Sequence, residues 1–139
     1  MSGAGAPQLN VDAAGLNVVV VASRWHTQIM DGLLAGAERA LRKAGNTEYQ
    51  VVRVPGAFEL PLAAQRAANS GAAAVIALGV VIQGDTPHFD YVCDAATSGL
   101  MRVQLDTGVP VGFGLLTVDT EEQGLARAGL ESSREDKGA

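Results

Sequence analysis

Short runs of valine, isoleucine and alanine alternate along this chain with longer stretches in which apolar residues return every three or four positions. The first run, LNVVVVA from Leu16 to Ala22, is almost unbroken, as in a strand that a parallel sheet buries on both faces. Ile29, Leu33, Ala37, Ala40, Leu41 and Ala44 then follow a helical period that stops at Gly45, a residue suited to a C-terminal cap. YQVVRVPG, Tyr49 to Gly56, reads as a second strand. AFELPLAAQRAANSG reads as a second helix, with Pro61 tolerated only in its first turn, so Gly56 to Glu59 mark the junction. AAAVIALGVVI is a third strand. Behind it, Thr86 is placed to cap a helix with Pro87 at its first position. Phe89, Val92, Cys93, Ala96, Leu100 and Val103 give that helix one apolar face, and it should end near Asp106 to Gly108. VPVGFGLLTV is the fourth strand. TEEQ, Thr120 to Gln123, matches a capping box for a short helix that Gly129 can close, and the tail ESSREDKGA is polar and unpatterned.

Strands alternating with helices imply repeated β-α-β units, hence a parallel sheet covered on both faces. The expected fold class is α/β: a three-layer α/β/α sandwich around a four-stranded parallel sheet. With 139 residues the chain makes one domain, with residues 1–14 as an N-terminal arm. Ligands of such folds bind beyond the carboxyl ends of the strands. That rule gathers four loops: Ser23 to His26, Pro55 to Glu59, Gln83 to His88 and Thr117 to Thr120.

Composition narrows the chemistry. Hydrophobic residues make up 47% and charged residues 18%, a globular balance. A formal charge of −5 without any Lys/Arg run argues against nucleic acid as partner. MSGAGAPQLN lacks the basic and apolar regions of a secretory signal, and the longest apolar run falls far short of the roughly 20 residues of a membrane span. The expectation is a soluble protein in a reducing, cytoplasmic setting. Its single Cys93, on the apolar face of a helix, reads as a packed thiol. Metal-ligand spacings, a Gly-x-Ser-x-Gly elbow and a phosphate-binding GxxxxGK[ST] loop are all missing from the sequence.

Four places could carry chemistry. Gly84, Asp85 and Thr86 precede a helix start, where backbone amides and the dipole favour an anion such as phosphate; alternatively Gly84 turns the chain and Thr86 caps the helix. His88 lies in the first turn of the same helix, either as a proton carrier or as a solvent-facing side chain. Trp25, with His26 after the first strand, could stack on a planar ring or cover the core. Glu59, at another helix start, could accept hydrogen bonds from substrate hydroxyls or merely complement the dipole.

Taken together, ASRWH, PGAFELP, ALGVVIQGDTPHFDYV and GLLTVDTEEQGLARAG closely resemble, in order and spacing, the signature segments of the lumazine synthases of riboflavin biosynthesis. The likeness runs from about Leu16 to Gly138. It implies a flavodoxin-like transferase that condenses 5-amino-6-ribitylamino-uracil with 3,4-dihydroxy-2-butanone 4-phosphate. The product is 6,7-dimethyl-8-ribityllumazine, with loss of phosphate and water and with no cofactor or metal. It also implies that Trp25 stacks on the pyrimidine and that Ala57, Phe58 and Glu59 hold the ribityl chain. By the same resemblance Val80, Val81 and Ile82 line the pyrimidine edge, Gly84, Asp85 and Thr86 bind phosphate, and His88 shuttles protons. In that family the site lies between subunits of a homopentamer. The neighbour would supply Phe113 and the phosphate-pairing Arg127, with Lys137 near the same site. The arm around Leu9 to Val11 would pair as a short strand with the neighbour's sheet.

Two features depart from the family pattern. Asp85 stands where glutamine, glutamate or alanine is common, and the sequence ends at Ala139 where the family adds a last helix, which is expected to be missing here. Two rival readings share the architecture: a flavin- or lumazine-binding module without turnover, and a shell-forming relative.

Overall fold

The computed structural model describes residues 5–139; the first four residues of the N-terminal arm lie outside the described residues. Four strands, β1 (Val18–Ser23), β2 (Gln50–Val54), β3 (Ala74–Ile82) and β4 (Val111–Val118), form one sheet in the order β2-β1-β3-β4, every pair parallel. Four helices connect or follow them: α1 (Thr27–Lys43), α2 (Leu60–Asn69, after a 3-10 turn at Ala57–Glu59), α3 (His88–Thr107) and α4 (Glu121–Leu125). The sandwich expected from the sequence is the one observed.

The period of two along β1 assigns its faces. Val19 and Val21 pack with Leu60, Ala64, Ala68, Ala96, Leu100 and Val103 from α2 and α3. Val18, Val20 and Ala22 pack with Ile29, Met30, Leu33, Ala37 and Leu41 from α1 on the opposite face. The chain leaves β1 towards β2 on one side and returns at β3 on the other, so the sheet order reverses between β1 and β3. Loops leaving those two strands diverge there and open a crevice at the carboxyl edge.

Element ends follow the cap chemistry, with exceptions. Gly45 takes a φ of 82°, its N–H donates to Arg42 O at 3.0 Å, and Asn46 N–H donates to Leu41 O at 2.9 Å, closing α1 as a Schellman motif. Pro61 occupies the first turn of α2, and its ring meets Gly99 of α3 so closely that an added Cβ would lie 2.6 Å from Pro61 Cγ. Thr86 does not cap α3: the helix begins one residue later than its sequence suggests, at His88, and no side chain caps it. Pro87 already has helical dihedrals and its carbonyl accepts from Asp90 N–H at 3.0 Å, so the first turn grows from the proline. In the TEEQ segment Thr120 Oγ1 accepts from Gln123 N–H, but the Gln123 side chain returns to Asp119 N–H rather than to Thr120. Helix α4 stops at Leu125, and Gly129, at a φ of 67°, turns the chain four residues later.

The tail is more ordered than its polarity suggests. Residue 128 bridges residue 136, Arg134 and Glu135 N–H both donate to Ala126 O, and Lys137 N–H donates to Arg127 O at 2.9 Å. Gly32 and Gly36, one turn apart on α1, let Ala128 and Asp136 approach the helix backbone, and Arg39 pairs with Asp136. Leu9 and Val11, the expected intersubunit strand, form no strand within the chain and stand exposed.

Candidate active site

A hollow of about 610 Å³ opens at the carboxyl edge of the sheet. Trp25 and His26 come from the turn after β1, and residues 55–59 from the turn after β2. Val80, Val81 and Ile82 close β3, and His88, Tyr91 and Val92 lie on the first turns of α3. Three of the four loops gathered from the sequence meet here; Thr117 to Thr120 do not line it.

The walls are held by backbone and side-chain bonds. Arg53 donates to Ser23 O at 2.9 Å and to Ala22 O at 3.3 Å, tying β2 to the end of β1, and Arg24 N–H donates to Pro55 O at 3.1 Å. Ser23, fully buried, donates to Met30 Sδ beneath the turn. Gly79 in β3 is required by its surroundings, since an added Cβ would sit 2.9 Å from Leu115 and 3.0 Å from Leu60. Glu59 Oε2 accepts from Gly56 N–H at 2.9 Å, which fixes the carboxylate on the rim. Trp25 is 68% exposed and Phe58 65%, so both rings are offered to the hollow rather than spent on the core. A large ring left in contact with water at a concave site is free to stack on a planar ligand.

Gly84, Asp85 and Thr86 are exposed and form the link between two lining residues, Ile82 and His88, so they border the hollow without walling it. The hollow carries no lysine or arginine among its lining residues. Arg127 donates from its guanidinium to Gln123 O at 2.9 Å, and Lys137 pairs with Glu135 at 2.6 Å; neither lines the hollow. Phe113, 55% exposed, stands on β4 opposite Ala77 and lines a second groove with Lys137, along β3, β4 and α1. A single chain therefore assembles Trp25, Ala57, Phe58, Glu59, Val80, Val81, Ile82 and His88, and keeps Phe113, Arg127 and Lys137 away from them.

Five lining residues were given no site role from the sequence: His26, adjacent to Trp25, Pro55, Gly56, Tyr91 and Val92. The signal for Tyr91 was its spacing, three residues after His88 and hence on the same side of α3. Cys93 is half-buried, and burial together with the Asp90 carboxylate pushes its thiol above the ordinary value, which fits packing rather than nucleophilic chemistry. Among the described residues no group of three or more histidine, cysteine or carboxylate side chains could hold a metal ion, and no helix is long and apolar enough to cross a membrane.

A doubly wound parallel domain with an aromatic-lined hollow at its switch point, one rim carboxylate and a histidine at a helix start belongs to the class that binds small planar molecules at the strand ends. The comparisons make that specific. The model of the 6,7-dimethyl-8-ribityllumazine synthase family matches residues 15–139. The 6,7-dimethyl-8-ribityllumazine synthase of Kineococcus radiotolerans is 68% identical over 139 residues, covering all of this chain and 86% of that protein. The proteins of the same name from Clavibacter sepedonicus and Streptomyces coelicolor are 62% and 60% identical, covering 88% and 86% of their lengths. The chain belongs to the 6,7-dimethyl-8-ribityllumazine synthase family.

Proposed function

We propose that the hollow is the larger part of an active site completed by a second copy of the chain. The enzyme condenses 5-amino-6-ribitylamino-uracil with 3,4-dihydroxy-2-butanone 4-phosphate to give 6,7-dimethyl-8-ribityllumazine, phosphate and water. The observation that carries the site is the convergence of Trp25, residues 57–59, residues 80–82 and His88 on one concave surface. The pyrimidine lies against the Trp25 indole with its edge along Val80 to Ile82, and the ribityl hydroxyls reach the rim carboxylate of Glu59. The phosphate sits over Gly84 to Thr86, with amides of the α3 start turned towards it. Asp85 is accommodated because backbone amides, not its side chain, do the binding.

The lining supplies no lysine or arginine, and a phosphate gains from a fixed cation. Arg127 of a neighbouring copy supplies it, with Phe113 of the same neighbour closing the hollow over the ring and Lys137 nearby. An acidic protein can hold an anion when helix amides and imported cations converge on one point. The assembly is a homopentamer in the cytoplasm.

With the phosphate anchored, the butanone carbonyl meets the 5-amino group and forms an imine with loss of water. Phosphate leaves, and closure of the ring expels water. Alignment of the two bound reactants supplies the larger part of the acceleration, about 7 to 11 kcal/mol in well-oriented systems. His88 contributes the smaller acid–base part, moving protons between the amine, the carbonyl oxygen and the departing groups. The test is direct: purified chain with both substrates should produce the lumazine, followed by its absorbance. A folded chain that binds lumazine or flavin without turnover would instead be a binding module.

A further inference from the structure

We infer that His26 is a positioning residue for Trp25, bracing the indole so that its face stays open to the pyrimidine; this rests on the stacking role proposed for Trp25. His26 is the one residue other than glycine with a positive φ among the described residues, at φ 60° and ψ 67°. Its carbonyl accepts from Met30 N–H at 3.0 Å, the first turn of α1, while Arg24 N–H is bonded to Pro55 O. The backbone on both sides of Trp25 is thus pinned. The indole itself is largely exposed, so its two side-chain torsions remain to be fixed.

Two contacts fix them. The indole edge passes Gly56, where an added Cβ would lie 3.5 Å from Trp25 Cδ1 and 3.6 Å from Nε1. The centroid of the His26 imidazole lies 6.3 Å from that of the indole at an interplanar angle of 50°, within the range of favourable tilted aromatic pairs. Side chains that tolerate the left-handed backbone are few: glycine aside, asparagine, aspartate and histidine are the enriched ones, and of these only histidine brings a ring. A position that needs both the turn and a ring is met by histidine alone. Both histidines of the chain therefore serve the same hollow, His88 on the reacting atoms and His26 on the aromatic platform.

Trp25 is the only tryptophan, so its emission reports the platform without interference. The variant His26→Asn keeps a residue suited to the backbone and removes the ring; His26→Phe restores a ring in a less favourable backbone. In the assembled enzyme, His26→Asn should lower the fluorescence anisotropy of Trp25 and weaken product binding, read by quenching of Trp25, about two- to twelvefold. The KM for the pyrimidine substrate should rise by the same factor while the KM for the butanone phosphate and kcat hold, and His26→Phe should recover part of the loss. Unchanged anisotropy and product affinity in His26→Asn, or equal changes in both KM values, would overturn the brace while leaving Trp25 stacking intact. Wild-type emission that does not respond to product would overturn the stacking role itself, and the brace with it.

Discussion

At the scale of single residues, the proposed site separates binding from proton transfer. His88 is exposed at the start of α3, beside the loop proposed for the phosphate, whereas Arg127 belongs to a segment that does not line its own chain's hollow. Their loss should therefore read differently. His88→Ala should lower kcat by about a hundredfold, the lower end of the general acid–base range, with little change in either KM. Arg127→Ala should raise the KM for the butanone phosphate far more than that for the pyrimidine, because it removes a charge partner of the phosphate alone. Steady-state kinetics with each substrate varied in turn decides this; a kcat unchanged by His88→Ala would remove its catalytic role. Glu59, Trp25 and His88 could be placed at the hollow from the sequence because residues of distinctive chemistry fall in the short links that follow apolar runs. His26 was passed over because its role lies in a backbone angle and a ring contact, neither of which a residue name reveals.

At the scale of elements, local chemistry placed every strand and long helix, since valine-rich runs and the 3.6-residue period are signals a chain carries in itself. The misplacements fall where a neighbouring group decides. Thr86 had a good capping side chain, but the turn grew from Pro87 instead, leaving its hydroxyl unused as a cap. The tail was opaque for a stronger reason: its order comes from backbone bonds to Ala126 and Arg127 and from the flat face that Gly32 and Gly36 give α1, contacts distant in sequence. Close approach also joins α2 to α3, where Pro61 fills the space a side chain at Gly99 would need. Gly99→Val should destabilise the protein by about 1 to 3 kcal/mol through overpacking, measured by denaturant unfolding. The tail adds a pH dependence. The hydrogen bond from Lys137 holds the Glu135 carboxyl below its ordinary value, against the opposing effect of burial. A depressed carboxylate stabilises fully above its unfolded pKa, and that contribution is lost as pH falls through the lower folded value. The difference in Tm between wild type and Glu135→Gln should thus be present at neutral pH, begin to shrink below the ordinary glutamate value of about 4.3, and vanish once the pH has fallen through the lower folded value; a difference that persists at the acid limit would assign it to packing.

At the scale of the molecule, a single chain leaves large apolar side chains uncovered on several elements. Leu62 on α2, Met101 and Leu105 on α3, and Val51 and Val52 on the edge strand β2 are exposed, Leu105 by 73%. Where such side chains form a contiguous patch they mark contacts between proteins. The proposed division of the site fits a second copy in chemical terms, for the hollow has the platform, the carboxylate and the histidine, and its lining has no lysine or arginine. That split was expected from the family resemblance and not from the chemistry of the residues; what one chain shows is that Phe113, Arg127 and Lys137 lie outside its hollow. The sharpest test is complementation. Chains carrying His88→Ala and chains carrying Arg127→Ala are dissociated together in equal amounts, reassembled and assayed for lumazine formation. Sites shared between neighbours should recover activity towards about one quarter of wild type, because random mixing pairs an intact His88 with an intact Arg127 that often. Mixtures no more active than the two variants reassembled separately would contradict a site built from two copies of the chain.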